Sequence, residues 1–372
     1  MENAPMNLVQ PRLTRATLAW ALAVSVLLAQ PIGHVQASTV QYSVVDLGTL
    51  GGIDTRAYGV NSAGQAAGYT WAPAPGCLHA FETDAAARPT YFDPVSACSF
   101  ATSVNDRGQV TGGGDHHPGS GDYTAFRYVQ GGGMQDLGTL PGDSASCGTG
   151  INASGQIAGV SANGPAGHAF RWNQNSGMVN LGSLNGNTWA YGINAAGDVV
   201  GVSAVLSTPP NDYWNPGHAF VWLDSSHLML DLNNFNHASG WAELRKAAAI
   251  NDFGQVVGYG SRSSDGMIRA FRYAGGEAED LGTFPNGGIS YALGINNRGE
   301  VVGAVYTDAT GAGNYRASIY RNAAGGMQKL NDLIDTVTTG WDLREAYAIN
   351  DAGQMSAGAR STTRHGRSDS IR

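Results

Sequence analysis

Trp189, Asp212, Trp214, Trp241 and Trp341 carry the residue types that hold a hydroxylated or apolar ligand, with indole faces to stack on it and a carboxylate to accept its hydrogen bonds. The competing use of a tryptophan is to fill a gap in a core, since large apolar side chains are usually buried. Asp115, His116 and His117 are metal-ligating types, but three adjacent residues rarely converge on one ion, so no metal site is expected. Asp265, Asp308 and Glu345 are scattered acids, and neither they nor Asp212 shows the carboxylate partner that glycoside hydrolysis needs. The sequence contains no G-x-S-x-G, H-E-x-x-H, phosphate-loop or dinucleotide pattern. No catalytic residue can be assigned and no cofactor is expected. Of the three cysteines, Cys77 and Cys98 are expected to bridge, because both should lie in inter-strand loops at one end of a sheet. Cys147, expected in a third such loop, is then the odd thiol, and the spacing does not suggest zinc.

These side chains are hung on a repeat. Asn61, Asn105, Asn152, Asn194, Asn251, Asn296 and Asn350 each follow Val or Ile and each precede Gly by three residues. Asn favours the first position of a type I turn, and the glycine can take the positive φ that returns the chain to the next strand. The residue two before each Asn is small, as Gly59, Ser103, Gly150, Gly192, Ala249, Gly294 or Ala348. Seven places after it stands Gly68, Gly112, Gly159, Gly201, Gly258 or Gly303, with Ala357 breaking the run. Small residues at fixed strand positions imply close backbone approach. Neighbouring apolar pairs such as Val199-Val200, Val256-Val257 and Val301-Val302 point to opposite faces, so both faces of that strand must be covered.

A third strand follows each of the first six hairpins, as His79-Ala80-Phe81, Thr124-Ala125-Phe126, His168-Ala169-Phe170, His218-Ala219-Phe220, Arg269-Ala270-Phe271 and the looser Arg316-Ala317-Ser318, while only the poor strand Arg367 to Arg372 is available after the seventh. A fourth ends on Asp-Leu-Gly-Thr-Leu, at Asp46–Leu50 and Asp136–Leu140, with variants at Asn180–Leu184 and Asp280–Phe284. Four short antiparallel strands in about 40–50 residues describe a β-propeller blade. An open sheet of that many strands would curl or split, whereas radial closure removes the exposed edges. The expected fold is therefore all-β, a propeller of seven four-stranded blades, with the N-terminal strand Tyr42–Leu50 completing the last one. The recurring Asn, His, Trp172 and Trp222 are expected to serve turns and packing, as repeated residues do.

The H-A-F strands, with Gly-Ile-Asn at 192–194, Gly-Gln-Val-Val-Gly at 254–258 and Asp-Leu-Gly-Thr-Leu, resemble the HAF-repeat family of bacterial extracellular proteins. The resemblance covers nearly all of the chain after residue 37. It implies secretion and a repeat fold, and it transfers no catalytic residue. The tail after Gly358 departs from the pattern.

Arg12 and Arg15, the apolar run Ala16 to Ala29 and the small-residue ending Val35-Gln36-Ala37 form a secretory signal peptide, with cleavage expected after Ala37. About fourteen apolar residues fall short of a membrane span. The organisation read from the sequence is thus a signal peptide over 1–37, a repeat domain over 38–358 and a divergent tail over 359–372. The product is expected to be secreted, periplasmic or extracellular, with no membrane attachment after cleavage. A net charge of −8 disfavours nucleic acid as a partner. Strand direction places the variable loops, with the tryptophans named above, at one end of the ring, where a propeller commonly carries its function. That reading favours a non-enzymatic module binding an extracellular glycan or protein over a polysaccharide hydrolase or lyase.

Overall fold

In a computed structural model of the chain, residues 42–361 are described except 53, 73–75, 93–97, 116–122, 205–216, 236–239, 309–313, 322–324 and 336–339. The repeat folds as a series of antiparallel meanders. The first blade runs through Asp54–Val60, Ala66–Ala72, Cys77–Thr83 and Pro89–Tyr91, each strand paired with the next in sequence. Five more four-stranded sheets have the same order, and the seventh sheet pairs Trp341–Ile349 with Met355–Ser361. The structure contains no α-helix among the described residues, only 3₁₀ turns at Leu232–Phe235 and Leu330–Leu333.

All seven N-x-x-G turns form as their chemistry dictates. The glycine N–H donates to the Asn carbonyl, at 3.0 Å for Gly64 and Asn61, and the seven glycines have φ between 68° and 91°. The Asn side chain does more than cap its own turn. Its Oδ1 accepts the backbone N–H groups two and four residues on, as with Ala63 and Gln65 for Asn61. Its Nδ2 donates to the side chain four residues on and to the backbone oxygen of the next blade's Asn. The second bond recurs from Asn61 to Asn105 (3.1 Å), Asn105 to Asn152 (2.8 Å), Asn152 to Asn194 (2.9 Å) and Asn194 to Asn251 (3.5 Å). It continues from Asn251 to Asn296 (3.0 Å), Asn296 to Asn350 (3.0 Å) and Asn350 back to Asn61 (2.7 Å). The seven amides form a closed, buried ring around the axis.

Packing between sheets follows the third strand. Ala80, Ala125, Ala169, Ala219, Ala270 and Ala317 are fully buried, as are Phe81, Phe126, Phe170, Phe220 and Phe271. The paired valines divide their faces as expected. Val199 packs with Ala158 and Leu181 of the preceding blade, and Val200 with Leu244 and Ala247 of the following one. Small residues close the axis: a Cβ on Gly59 would lie 2.9 Å from the Ser103 backbone. A Cβ on Gly201 would run into the Trp189 carbonyl of its own sheet, which explains the glycine at that position.

Several expectations are corrected. Six sheets have four strands; the seventh has two among the described residues, not four. The N-terminal segment does not add a strand to it. Among the described residues Tyr42 forms a parallel bridge with Ile334, because its N–H donates to the Leu333 carbonyl and its carbonyl accepts Asp335 N–H beyond the sixth blade. Tyr42 and Val44 instead pack against the cluster that contains Leu343 and Ala346 of the seventh sheet. Closure is made by side chains: the Asn350–Asn61 bond, Ser356 Oγ donating to the Tyr58 carbonyl (3.1 Å), and the Tyr58 and Tyr347 rings 4.7 Å apart. The last strand continues past Gly358 to Ser361. Cys77 and Cys98 form a disulfide across 21 residues, with Cα atoms 5.5 Å apart. Cys77 opens a strand and Cys147 lies inside one, rather than in loops, because the chain enters both strands earlier than the turn residues suggest.

The ring predicts a penalty that the turn alone does not. Asn105→Asp keeps a good turn former but removes the Nδ2 donor, leaving the Asn152 carbonyl, still bonded to Gly155 N–H, to face a carboxylate instead of a donor. It should cost about 2–3 kcal/mol in denaturant unfolding. An unchanged midpoint would mean that the inter-blade bond contributes nothing.

Candidate functional site in the central channel

The innermost strand of every sheet slips its register by one residue three positions before the turn Asn. A β-bulge leaves one residue unpaired and re-aims its side chain. The residues so released are Tyr58, Thr102, Thr149, Tyr191, Ala248, Leu293 and Tyr347, and all seven line a channel of about 440 Å³ along the axis. The ring of asparagines forms the mouth at one end, where a shallower recess of about 220 Å³ also takes in Asp106, Asp252 and Asp351. These carboxylates are occupied: Asp106 accepts Ser62 N–H, Asp252 accepts Ala195 N–H, and Asp351 accepts Asn297 N–H.

Most polar groups of the channel wall are also committed. Thr102 Oγ1 donates to the Gly148 carbonyl (2.7 Å) and Thr149 Oγ1 to the Ala190 carbonyl (3.0 Å), tying neighbouring inner strands together. The Tyr347 hydroxyl donates to Glu345 (2.6 Å), and burial together with that carboxylate raises its pKa. Burial raises Tyr191 as well. The exception is Lys246, whose Nζ sits 3.6 Å from the centroid of the Tyr191 ring in the preceding blade. Desolvation between the strands lowers this lysine to about 8, although part of its stem remains exposed. Its neighbour Arg245 takes the Glu243 carboxylate at 3.2 Å. Among the described residues Lys246 forms no ion pair.

The residues singled out from the sequence are dispersed. Trp189 is 6% exposed and packs with Val202 and Ala204. Trp241 is half-buried, donates its indole N–H to the Ala278 carbonyl (3.0 Å) and meets Phe271 edge-on. Trp341 is half-buried in the cluster around Leu343. The three therefore lie in three separate clusters and are not brought together. Asp212 and Trp214 lie outside the described residues, as do His116 and His117; Asp115 is buried, with its N–H bonded to Cys98. Asp265 pairs with Arg269 at 3.4 Å. Among the described residues there is no group of three or more His, Cys, Asp or Glu that could hold a metal ion. His168 and His218 are tied to Asp143 and Asp231, and Trp172 and Trp222 lie under Arg127 and Arg171 of the preceding blades.

Sequence reasoning passed over the channel. The available signal was the position before the small residue, which holds Tyr, Thr, Thr, Tyr, Ala, Leu and Tyr around the ring while its neighbours hardly vary. A residue free to vary between constrained ones is a lining residue, not a core one.

The fold is a β-propeller. Residues 186–370 match the family described as a protein of unknown function, DUF3466. Comparison with curated proteins gives no match. Among solved structures the chain is similar to the putative TolB from Agrobacterium tumefaciens, with 13% identity and a TM-score of 0.48 over 74% of this chain and 94% of that one. A mutant of puromycin hydrolase complexed with PGG gives 12% identity and a TM-score of 0.50 over 89% of this chain. The match spans 57% of that hydrolase. The β-propeller domain of the Trilobed protease from Pyrococcus furiosus gives 8% identity and 0.47, over 85% and 98%. Identities this low report the fold alone. No helix among the described residues is long and apolar enough to cross a membrane.

Lys246 sets a pH dependence. Its folded pKa is depressed to about 8, so above that pH the unfolded chain binds the proton that the folded chain has released. Stability should rise from about pH 8 towards the ordinary lysine range near 10. The buried Cys147 thiol, pushed up to about 12, opposes this from the ordinary thiol range near 9, and the raised Tyr191 and Tyr347 oppose it above the usual tyrosine range. Thermal unfolding of Lys246→Met across this window should lack the rise; the same rise in the variant would place its origin elsewhere.

Proposed function

We propose that the chain is an exported, non-enzymatic binding module of the HAF-repeat kind, and that its ligand is an extracellular glycan held at the axis of the ring. The observation that carries this reading is the channel. Its volume falls within the range of small-ligand sites, and its wall combines aromatic rings, hydroxyls and one amine on a scaffold whose other polar groups are already bonded. Tyr58, Tyr191 and Tyr347 offer flat apolar faces with a polar edge, the combination that suits the two sides of a sugar ring. Export rests on the n-region, apolar run and cleavage sequence before Ser38. The rigid inner strands need no rearrangement to receive a chain end.

A glycan array probed with the mature chain, Ser38 to Arg372, tests the reading. Retention of a defined set of oligosaccharides, weakened about tenfold or more by Tyr58→Ala, is expected for a ring that stacks on the ligand. Retention unchanged by that substitution would remove the channel from the site. Release of new reducing ends from the bound glycans would replace binding with hydrolysis.

A further inference from the structure

We propose that Lys246 is an anion-binding residue that takes the charged group of an acidic sugar, a carboxylate or a singly charged sulfate ester, inside the channel. The inference rests on the glycan reading above and names the class of sugar.

The argument starts from the strand. Trp241–Ile250 is the longest of the innermost strands at 10 residues, and besides the shared bulge it slips its register twice more, between Trp241 and Glu243 and between Leu244 and Lys246. The residue five places before the turn Asn packs between sheets in the blades on either side, where Trp189 and Tyr291 are 6% and 3% exposed. In the fifth blade the slip after Leu244 skips Arg245, and the residue that follows, Lys246, paired with Tyr259, lines the channel wall. The seventh sheet has a similar additional slip, between Leu343 and Glu345, which skips Arg344 and leaves Glu345 paired with Gly358. The two irregular strands thus carry one base and one acid at this position, five places before the turn Asn. Their fates differ. Glu345 accepts the hydroxyl of Tyr347 at 2.6 Å, whereas Lys246 faces the Tyr191 ring and forms no ion pair among the described residues.

An ammonium group has three N–H donors and no acceptor capacity. A ring face attracts the charge but leaves those donors to water or a ligand. Partial desolvation makes the site selective: a neutral sugar hydroxyl can accept from Lys246 but brings no charge, whereas a carboxylate supplies charge and acceptors together. One ammonium matches one negative charge, so a singly charged group fits better than a phosphate monoester. Tyr191, whose hydroxyl is held protonated, brings no competing charge.

The test uses the mature chain and three matched oligosaccharides: uronate, sulfated, and the neutral form with reduced carboxyl groups. Titration calorimetry on the wild type should show the uronate or the sulfated form bound about tenfold or more tightly than the neutral one, as a charged hydrogen bond warrants. Which of the two binds tighter assigns the group. Lys246→Gln should abolish the preference, bringing the acidic and neutral affinities together, and Lys246→Arg should retain it. Lys246→Met, which removes the desolvated charge, serves if the Gln variant fails to fold. An acidic preference that survives loss of the amine overturns the proposal. Equal binding of acidic and neutral forms by the wild type overturns it while leaving the glycan reading in place. Binding of none of the three contradicts both.

Discussion

The structure depends on one hydrogen bond made seven times. Each turn asparagine sends its amide N–H to the backbone of the next, and the seventh returns to the first. The amide is suited to this because it donates and accepts from one short side chain. Its oxygen satisfies two backbone donors of its own turn, while its nitrogen satisfies one acceptor at home and one in the neighbouring blade. An aspartate would serve the turn equally well but has no proton to give. In a buried site where each unpaired group costs about 1–3 kcal/mol, this distinction decides the residue.

What the ring fixes, the bulges exploit. Innermost strands held at the axis by small residues and amide bonds cannot spread, so a register slip must turn a side chain inward. Seven such slips produce a lined channel from strands whose remaining residues are packed or paired. Two strands carry further slips, and in the fifth blade Lys246 lines the channel where its counterparts on either side, Trp189 and Tyr291, are core. Chemistry therefore enters as a local departure from the repeat. The repeated residues themselves are consumed by structure: histidines by aspartates, tryptophans by arginines of the preceding blade, and asparagines by one another.

Much of this fold was legible in the sequence because it is written in turn chemistry. Asn followed three residues later by Gly, with β-branched neighbours, locates every hairpin, and all seven form. The buried Ala-Phe pairs and the two-faced valine pairs likewise follow from period and residue type alone. The site was less legible. A bulge has no composition of its own, so Lys246 and Tyr191 read as ordinary strand residues. Trp189, Trp241 and Trp341 drew attention by size, yet the structure spends them on gaps between and within sheets. Closure was misread for a related reason. The Tyr42–Leu50 segment has the fourth-strand motif, but backbone pairing needs a free edge at the right place, and Tyr42 finds it beside Ile334.

Hydrogen exchange of the seven asparagine side-chain amides in the isotope-labelled mature chain tests the ring most directly. If the amides form one closed circuit, Asn61 and Asn350 at the seam should be protected to the same degree as Asn105, Asn152, Asn251 and Asn296, and all should lose protection together on unfolding. Fast exchange confined to Asn350, whose amide makes the seam bond to the Asn61 backbone oxygen, with the others protected, would show an open arc of blades and contradict the account.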